Sequence, residues 1–122
     1  MVIFDTNILI ELYHGNPQIK TKIEVLEAET FYVSSITAAE FLVGARDKVE
    51  FSRVEKHLAK YNVIPITPDI SEIFLSLFKT YSLSHRPGIA DALIAATALY
   101  YQIPLFNLNK KHFQFIPGIE LI

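Results

Sequence analysis

Three carboxylates in separate parts of the chain stand where acidic side chains could act together. Asp5 ends the strand-like stretch VIFD, Glu40 lies early in a helical stretch, and Asp91 is the only charged residue between Ile89 and Tyr101. A carboxylate removed from water needs a cationic partner, or its pKa rises until it becomes neutral. No Lys or Arg follows Asp91 within four residues, so its partner must come from elsewhere in the fold or from a bound ion.

Each of these polar residues also has a purely structural interpretation. Asp5 fits the N-cap of the helix that follows it. Thr37 and Glu40 have the spacing of a capping box, and Asp91 fits a first-turn acid that complements the helix dipole. Asn109 fits the N-cap of a short helical turn. Considered one at a time, the structural interpretation is favoured for each of them.

The elements that must position these residues alternate between strand and helix patterns. Nearly continuous apolar strands between amphipathic helices are typical of a parallel sheet that is covered on both faces. The predicted fold class is therefore α/β, a three-layer α/β/α sandwich with a central, mainly parallel sheet of about five strands. Strands are predicted at residues 2–5, 31–35, 63–66, 104–107 and 119–122. Helices are predicted at residues 6–15, 17–29, 37–46, 48–60, 69–83 and 89–101, with a helical turn at 110–113.

The topology brings the polar residues to one edge of that sheet. Open parallel sheets bind ligands outside the carboxyl ends of their strands, where Asp5 and Glu40 are expected. The helix at 89–101 is about 20 Å long and leads directly into a strand, so its first turn, with Asp91, returns to the same edge. Asn107 and Asn109 come just after that strand.

Three carboxylates at one edge are unfavourable without a cation. Two like charges about 4 Å apart repel by about 4 kcal/mol at an effective dielectric constant of 20. Oxygen ligands, without any cysteine and without a suitably spaced pair of histidines, are the set that Mg²⁺ or Mn²⁺ prefers. The spacing of the acids therefore predicts a divalent metal site.

Length and composition limit the class of protein. The chain has 122 residues, 51% of them hydrophobic, so a single domain over residues 1–122 is expected. The formal net charge of −2 excludes a broad basic surface, and the absence of cysteine excludes disulfides and thiolate metal sites. No signal peptide is apparent, and the longest apolar stretch is shorter than the roughly 18 residues of a membrane span. A cytoplasmic location is expected.

Four motifs in order resemble the PIN domain, and more narrowly the VapC-type toxin of a toxin–antitoxin pair. They are VIFDTNILIE at the N-terminus, SSITAAEFLVGA at 34–45, IADALIAATAL at 89–99 and NLNKKHF at 107–113. The resemblance covers the whole chain. It implies a Mg²⁺- or Mn²⁺-dependent ribonuclease, a hydrolase that cuts RNA phosphodiester bonds and leaves a 3′-hydroxyl and a 5′-phosphate.

The resemblance also assigns roles to residues. Asp5, Glu40 and Asp91 match the three catalytic acids, and either Glu40 or Asp91 would accept the proton of the attacking water. Asn107 stands where Thr or Ser is frequent in that family, and Asn109 stands where Asp is frequent. Because an amide adds no negative charge, this weakens the case for a second tightly bound metal. The metal ligands implied are Asp5, Asp91, Glu40 and Asn109, with Thr6, Ser35, Thr37 and Asn107 around them.

The remaining expectations concern RNA and protein partners. An acidic pocket repels RNA, so cations must flank it, and the candidates are Lys110, Lys111 and Arg86. His112 is interpreted as the surface of the helical turn and Phe113 as core. The resemblance further implies a homodimer and a small VapB-like antitoxin that wraps the chain with a helix. The candidate surface for the antitoxin contains Leu9, Leu12, Tyr13 and Ile19, of which Leu9 and Leu12 are favoured as core.

Other functional classes fit less well. A phosphoryl-accepting receiver domain needs an acidic pair after its first strand, and this chain has none there. A haloacid-dehalogenase-like phosphatase needs a second Asp where this chain has Asn7. A catalytically silent PIN-fold module that binds RNA or protein is the alternative, and Asn109 is the residue that favours it.

Overall fold

The chain folds around a four-stranded parallel sheet in the order β3-β2-β1-β4. The computed structural model describes residues 1–26 and 30–122. The strands are β1 (Val2–Phe4), β2 (Phe31–Ser34), β3 (Asn62–Ile64) and β4 (Leu105–Phe106). The helices are α1 (Thr6–Tyr13), α2 (Pro17–Val25), α3 (Ser35–Val43), α4 (Lys48–Leu58), α5 (Pro68–Tyr81) and α6 (Ile89–Tyr101), with a 3₁₀ turn at Lys110–His112.

Helices cover both faces of the sheet, and residues of β1 alternate between them. Ile3 packs on one face in a core that includes Ile70 of α5 and Ile94 of α6. Phe4 packs on the other face in a core shared with Leu9 of α1 and Phe41 of α3. Because successive strand residues point to opposite faces, one short strand contributes to both cores. The predicted three-layer α/β class is confirmed.

Within residues 1–26 and 30–122 the sheet has four strands rather than about five. The segment predicted as a last strand makes one parallel bridge, between Leu105 and Leu121. Backbone hydrogen bonds on either side of it are short, with Leu105 N to Glu120 O at 2.8 Å and Ile122 N to Leu105 O at 2.9 Å. Because β4 has only two residues, it offers too short an edge for residues 119–122 to pair as a full strand.

Helix α3 begins earlier than predicted, and the capping-box interpretation of Glu40 is wrong. The N-cap is Ser34, whose hydroxyl accepts a hydrogen bond from the amide of Ile36. The side chains of Thr37 and Glu40 turn instead to α1. Helix α2 is observed to Val25, and residues 27–29 of its predicted extent lie outside the described residues.

The order of the strands creates one crevice for a site. The chain adds β2 and β3 on one side of β1 and then places β4 on the other side, which is a topological switch point. At that point the amide of Asp5 donates to the carbonyl of Phe106 at 3.0 Å. Helix α6 ends at Tyr101, and the left-handed backbone of its C-cap Gln102 turns the chain towards β4. Its first turn therefore lies near the carboxyl ends of β1 and β4.

No helix within the described ranges is both long and apolar enough to cross a bilayer.

Candidate functional site

Asp5 lies at the centre of the crevice and is only 4% exposed. It ends β1 and serves as N-cap of α1, where its Oδ1 accepts a hydrogen bond of 2.7 Å from the amide of Thr6. The predicted N-cap is therefore present. Capping alone does not account for the burial of a carboxylate, because an N-cap can be formed by an uncharged Ser or Asn.

Glu40 reaches the same place from α3 through two hydroxyls. Thr6 Oγ1 donates to Glu40 Oε1 at 2.7 Å, and the hydroxyl oxygens of Thr6 and Thr37 lie 3.1 Å apart. A hydroxyl has one hydrogen, which Thr6 uses on the carboxylate, so Thr37 donates within that pair. Both threonines are buried, whereas Glu40 remains exposed. The pair of threonines orients an acid at the mouth of the crevice.

Asp91 finds its partner in His112, which sequence reasoning had assigned to the surface. Asp91 Oδ2 lies 3.1 Å from His112 Nδ1, and His112 Nε2 lies 3.1 Å from Asn109 Nδ2. An amide nitrogen only donates, so Nε2 accepts and Nδ1 carries the hydrogen given to Asp91. Asn109 occupies the N-cap position of the 3₁₀ turn, yet its side chain makes no capping bond and instead orients His112.

The three acids affect one another electrostatically. Burial, together with the nearby charges of Asp91 and Glu40, raises the pKa of Asp5 to about 6, and the Thr6 amide and His112 oppose the rise. Burial also raises the pKa of Asp91, with Glu40 contributing and His112 opposing. Among the described residues, no Lys or Arg forms an ion pair with any of the three. The crevice therefore holds negative charge that lacks a strong cationic partner.

The donor set fits a divalent metal of the Mg²⁺ class. One oxygen of each carboxylate is held by a protein donor, namely Thr6 N on Asp5, Thr6 Oγ1 on Glu40 and His112 on Asp91. The second oxygen of each accepts no hydrogen bond from the described part of the chain. The same residues contain no group of three or more His, Cys, Asp or Glu side chains spaced to hold a metal ion. The fit therefore lies in the chemistry of the oxygen donors and not in their spacing.

Two other predicted residues lie near the crevice without bonding to its acids. Ser35 donates its hydroxyl to the carbonyl of Ile64, so it joins the ends of β2 and β3. Asn107 is buried beside the end of β4, and neither its amide nitrogen nor its oxygen has a hydrogen-bond partner among the described residues. An orphaned buried amide is costly, by about 1–3 kcal/mol, which points to a partner supplied from solvent or a ligand.

The predicted cations divide between two cavities. Arg86 and Lys111 line a cavity of about 260 Å³ that also contains Asp91 and His112. Lys110 lines a different cavity, of about 430 Å³, with Asn107 and Lys22. Two of the three predicted cations therefore adjoin Asp91, and the third lies on the Asn107 side.

The candidate antitoxin surface is partly buried. Leu9 and Ile19 are core residues, as expected for Leu9 but not for Ile19, while Leu12 and Tyr13 are half-buried. Tyr13 lines a third cavity, of about 380 Å³, which reaches from α1 across α3 to α4 and includes Glu40. Phe113 is fully buried, as predicted.

His112 is the site residue that the sequence analysis missed. Its partner Asp91 lies on a different element, and only the 3₁₀ turn after β4 brings the two together. The available signal was the spacing of Asn109 and His112, since side chains three residues apart eclipse in a 3₁₀ turn.

Comparison with known proteins agrees with this geometry. The sequence matches the family model described as PIN domain over residues 2–116. It is 31% identical to Ribonuclease VapC19 of Mycobacterium tuberculosis, with 98% of each chain covered. It is 30% identical to Ribonuclease VapC of Rickettsia bellii, with 99% of this chain and 94% of that protein covered.

The fold has a counterpart among solved structures. A chain of a toxin-antitoxin complex from Klebsiella pneumoniae superposes with a TM-score of 0.83 and 34% sequence identity. The superposition covers 100% of this chain and 96% of that one.

Proposed function

Because this chain belongs to the PIN domain family, we propose that it is a metal-dependent endoribonuclease and the toxin of a toxin–antitoxin pair. The observation that carries the proposal is the group of three acids at the switch point of the sheet, where burial and repulsion among the acids raise the pKa of Asp5 to about 6. Relatives named as VapC ribonucleases, similar over nearly their whole length, support it. Residues 1–122 would act as one domain, in the cytoplasm.

Asp5, Glu40 and Asp91 are the proposed ligands of Mg²⁺, or of Mn²⁺ as a substitute, and Asn109 is a further ligand through its amide oxygen. When bound, such a metal lowers the pKa of water, orients it towards a phosphodiester and offsets charge on the phosphate. The donor set contains oxygen alone, as these hard cations prefer.

The chain's own residues would orient the acids and deprotonate the attacking water. Thr6 holds Glu40 at the mouth of the crevice, and His112 holds Asp91. One of these two acids, Glu40 or Asp91, accepts the proton of the attacking water. Asp5 is fixed by the amide of Thr6 at the end of a buried strand, so its position is the most rigid of the three.

The antitoxin is the proposed protein partner, and a homodimer is the proposed assembly. The cavity between α1, α3 and α4 supports a docking place for an antitoxin helix, because it combines apolar residues such as Ile10 and Phe41 with Glu40. A basic side chain carried by that helix would meet the acidic crevice through Glu40. Occupation of this cavity would block access of RNA to the acids.

The proposed function is tested by incubating the antitoxin-free chain with a pool of small RNAs in Mg²⁺, in Mn²⁺ and in EDTA. Cleavage is expected with either metal and none with EDTA, because the three acids are not neutralised without a cation. Sequencing of the cut ends then identifies the substrate. Absence of cleavage with every metal, from protein shown to be folded, would contradict the proposal and favour the catalytically silent binding module.

Thr6→Val is expected to lower kcat about tenfold, because loss of a residue that orients a metal ligand commonly costs 10- to 100-fold. Valine matches the shape of threonine but cannot donate to Glu40 or accept from Thr37. Steady-state cleavage of the identified RNA measures the effect. Thr97→Val is the matched control, since the hydroxyl of Thr97 is also buried but bonds to the Leu93 carbonyl within α6. Equal kcat values for both variants would show that Thr6 does not position Glu40.

A further inference from the structure

The 260 Å³ cavity beside Asp91 contains side chains that the proposed mechanism does not use. One wall is the segment between α5 and α6, with His85 and Arg86, and the other wall is formed by Lys111 and Phe115. We refer to it as the Asp91-side cavity. The cavity adjoins the proposed catalytic acid Asp91, which is one of its lining residues.

Two positive charges flank the Asp91-side cavity. Arg86 and Lys111 are exposed, and neither forms an ion pair with an acid in the described part of the chain. Because no such ion pair occupies these cations, none has to be broken before they hold an anion. Their side chains are therefore available to a phosphodiester, and guanidinium in particular matches the geometry of phosphate oxygens.

The segment that carries Arg86 is a defined turn. The amides of His85 and Arg86 both donate to the carbonyl of Tyr81, at 2.8 and 3.2 Å. Arg86 has a φ of +45°, a left-handed conformation that a non-glycine residue adopts at a cost of about 1 kcal/mol. Such local strain is concentrated at binding and catalytic sites.

His85 presents an ordered aromatic ring at the cavity. The ring stacks on Phe115 with centroids 4.3 Å apart and 12° between the planes, and it meets the edge of Tyr81 at 5.6 Å. The Ser84 hydroxyl lies 2.8 Å from its Nδ1. His85 is nevertheless exposed. A ring that is already fixed loses little entropy when a nucleobase stacks on it.

We propose that the Asp91-side cavity is a nucleotide subsite for the RNA substrate. Arg86 and Lys111 hold a phosphate that neighbours the scissile one, and His85 stacks against a base of the same strand. This inference rests on the proposed ribonuclease function and specifies how the RNA enters the site. It assigns a role in binding to His85, which is not one of the three acids of the crevice.

The test measures binding separately from cleavage. The full chain with Asp5→Asn, in Mg²⁺, is titrated with a fluorescent single-stranded RNA between about 50 and 200 mM salt, and affinity is read from anisotropy. Arg86→Gln and Lys111→Gln are each expected to reduce the slope of log affinity against log salt by about 0.7, since each removes one phosphate contact on a single strand. Arg53→Gln, which removes an exposed arginine on α4, is expected to leave the slope unchanged.

The base contact is tested with two substitutions of His85. His85→Ala is expected to weaken binding about tenfold, as for loss of one stacked base, and His85→Phe is expected to retain the affinity. On an RNA whose bases are replaced by abasic spacers, His85→Ala is expected to have no effect. Unchanged salt slopes in both charge variants, or equal affinity of His85→Ala and its parent, would overturn the subsite. Cleavage by the wild-type chain, assayed in parallel, reports on the proposed function independently.

Discussion

Asp5→Asn and Asp91→Asn are each expected to reduce RNA cleavage by about 1,000-fold or more without unfolding the chain. Each substitution keeps the size of the side chain and removes one negative charge from the crevice. Divalent metals contribute several kcal/mol to the stabilisation of a phosphoryl transition state, and each 1.36 kcal/mol corresponds to a factor of ten in rate. Loss of a charged ligand forfeits most of that contribution.

The measurement is cleavage of the RNA identified in the pool assay, with circular dichroism to show that the fold persists. Asp69→Asn is the matched control, because Asp69 is an exposed first-turn acid of α5 that bonds to Tyr100 and lies outside the crevice. The control is expected to cleave at the wild-type rate. Wild-type cleavage by both Asp5→Asn and Asp91→Asn would refute the assignment of the acidic crevice as the catalytic centre.

The parts of this site that follow from local patterns were predictable. Asp5 ends a short apolar strand, and that pattern placed it at the carboxyl edge of the sheet. The bounds of α6 were predicted at residues 89–101 because a continuous apolar run is closed by Gly88 before it and by a turn after it. Those two facts suffice to bring Asp91 back to the strand ends.

The parts that depend on contacts between distant elements were not predictable. The stretch SSIT offers three hydroxyls as a cap for α3, and the sequence does not reveal which is chosen. Ser34 caps the helix because Thr37 is paired with Thr6, which is 31 residues away. The sequence assigned His112 only to the surface, because its partner Asp91 lies on another element. The side chain is in fact 53% exposed, so exposure alone does not distinguish it from an ordinary surface residue.

Asp5→Asn is also expected to make the metal-free protein more stable at pH 7.5. The pKa of Asp5 is 3.8 in the unfolded chain and about 6 in the folded one, so between these values the folded state binds more protons. Stability therefore falls as pH rises through this window, and above it the charged form destabilises the fold by about 3 kcal/mol, at 1.36 kcal/mol per pKa unit. Asparagine removes this charge, and its amide oxygen still accepts from the Thr6 amide.

The prediction is checked by denaturant unfolding of both proteins in EDTA from pH 4 to pH 7.5. The variant's advantage is expected to be largest at pH 7.5, to shrink below pH 6 and to be small at pH 4, where Asp5 is protonated in the folded state and about half protonated in the unfolded one. Mg²⁺ at about 1,000 times its Kd is expected to reverse the order, because a ligand at that concentration stabilises the fold that binds it by about 4.1 kcal/mol, which exceeds the cost of about 3 kcal/mol. A difference independent of pH would show that burial does not raise the pKa of Asp5. A difference that Mg²⁺ leaves unchanged would exclude Asp5 as a metal ligand. One set of unfolding curves therefore measures both the free energy that the buried charge costs and the contribution of Asp5 to metal binding.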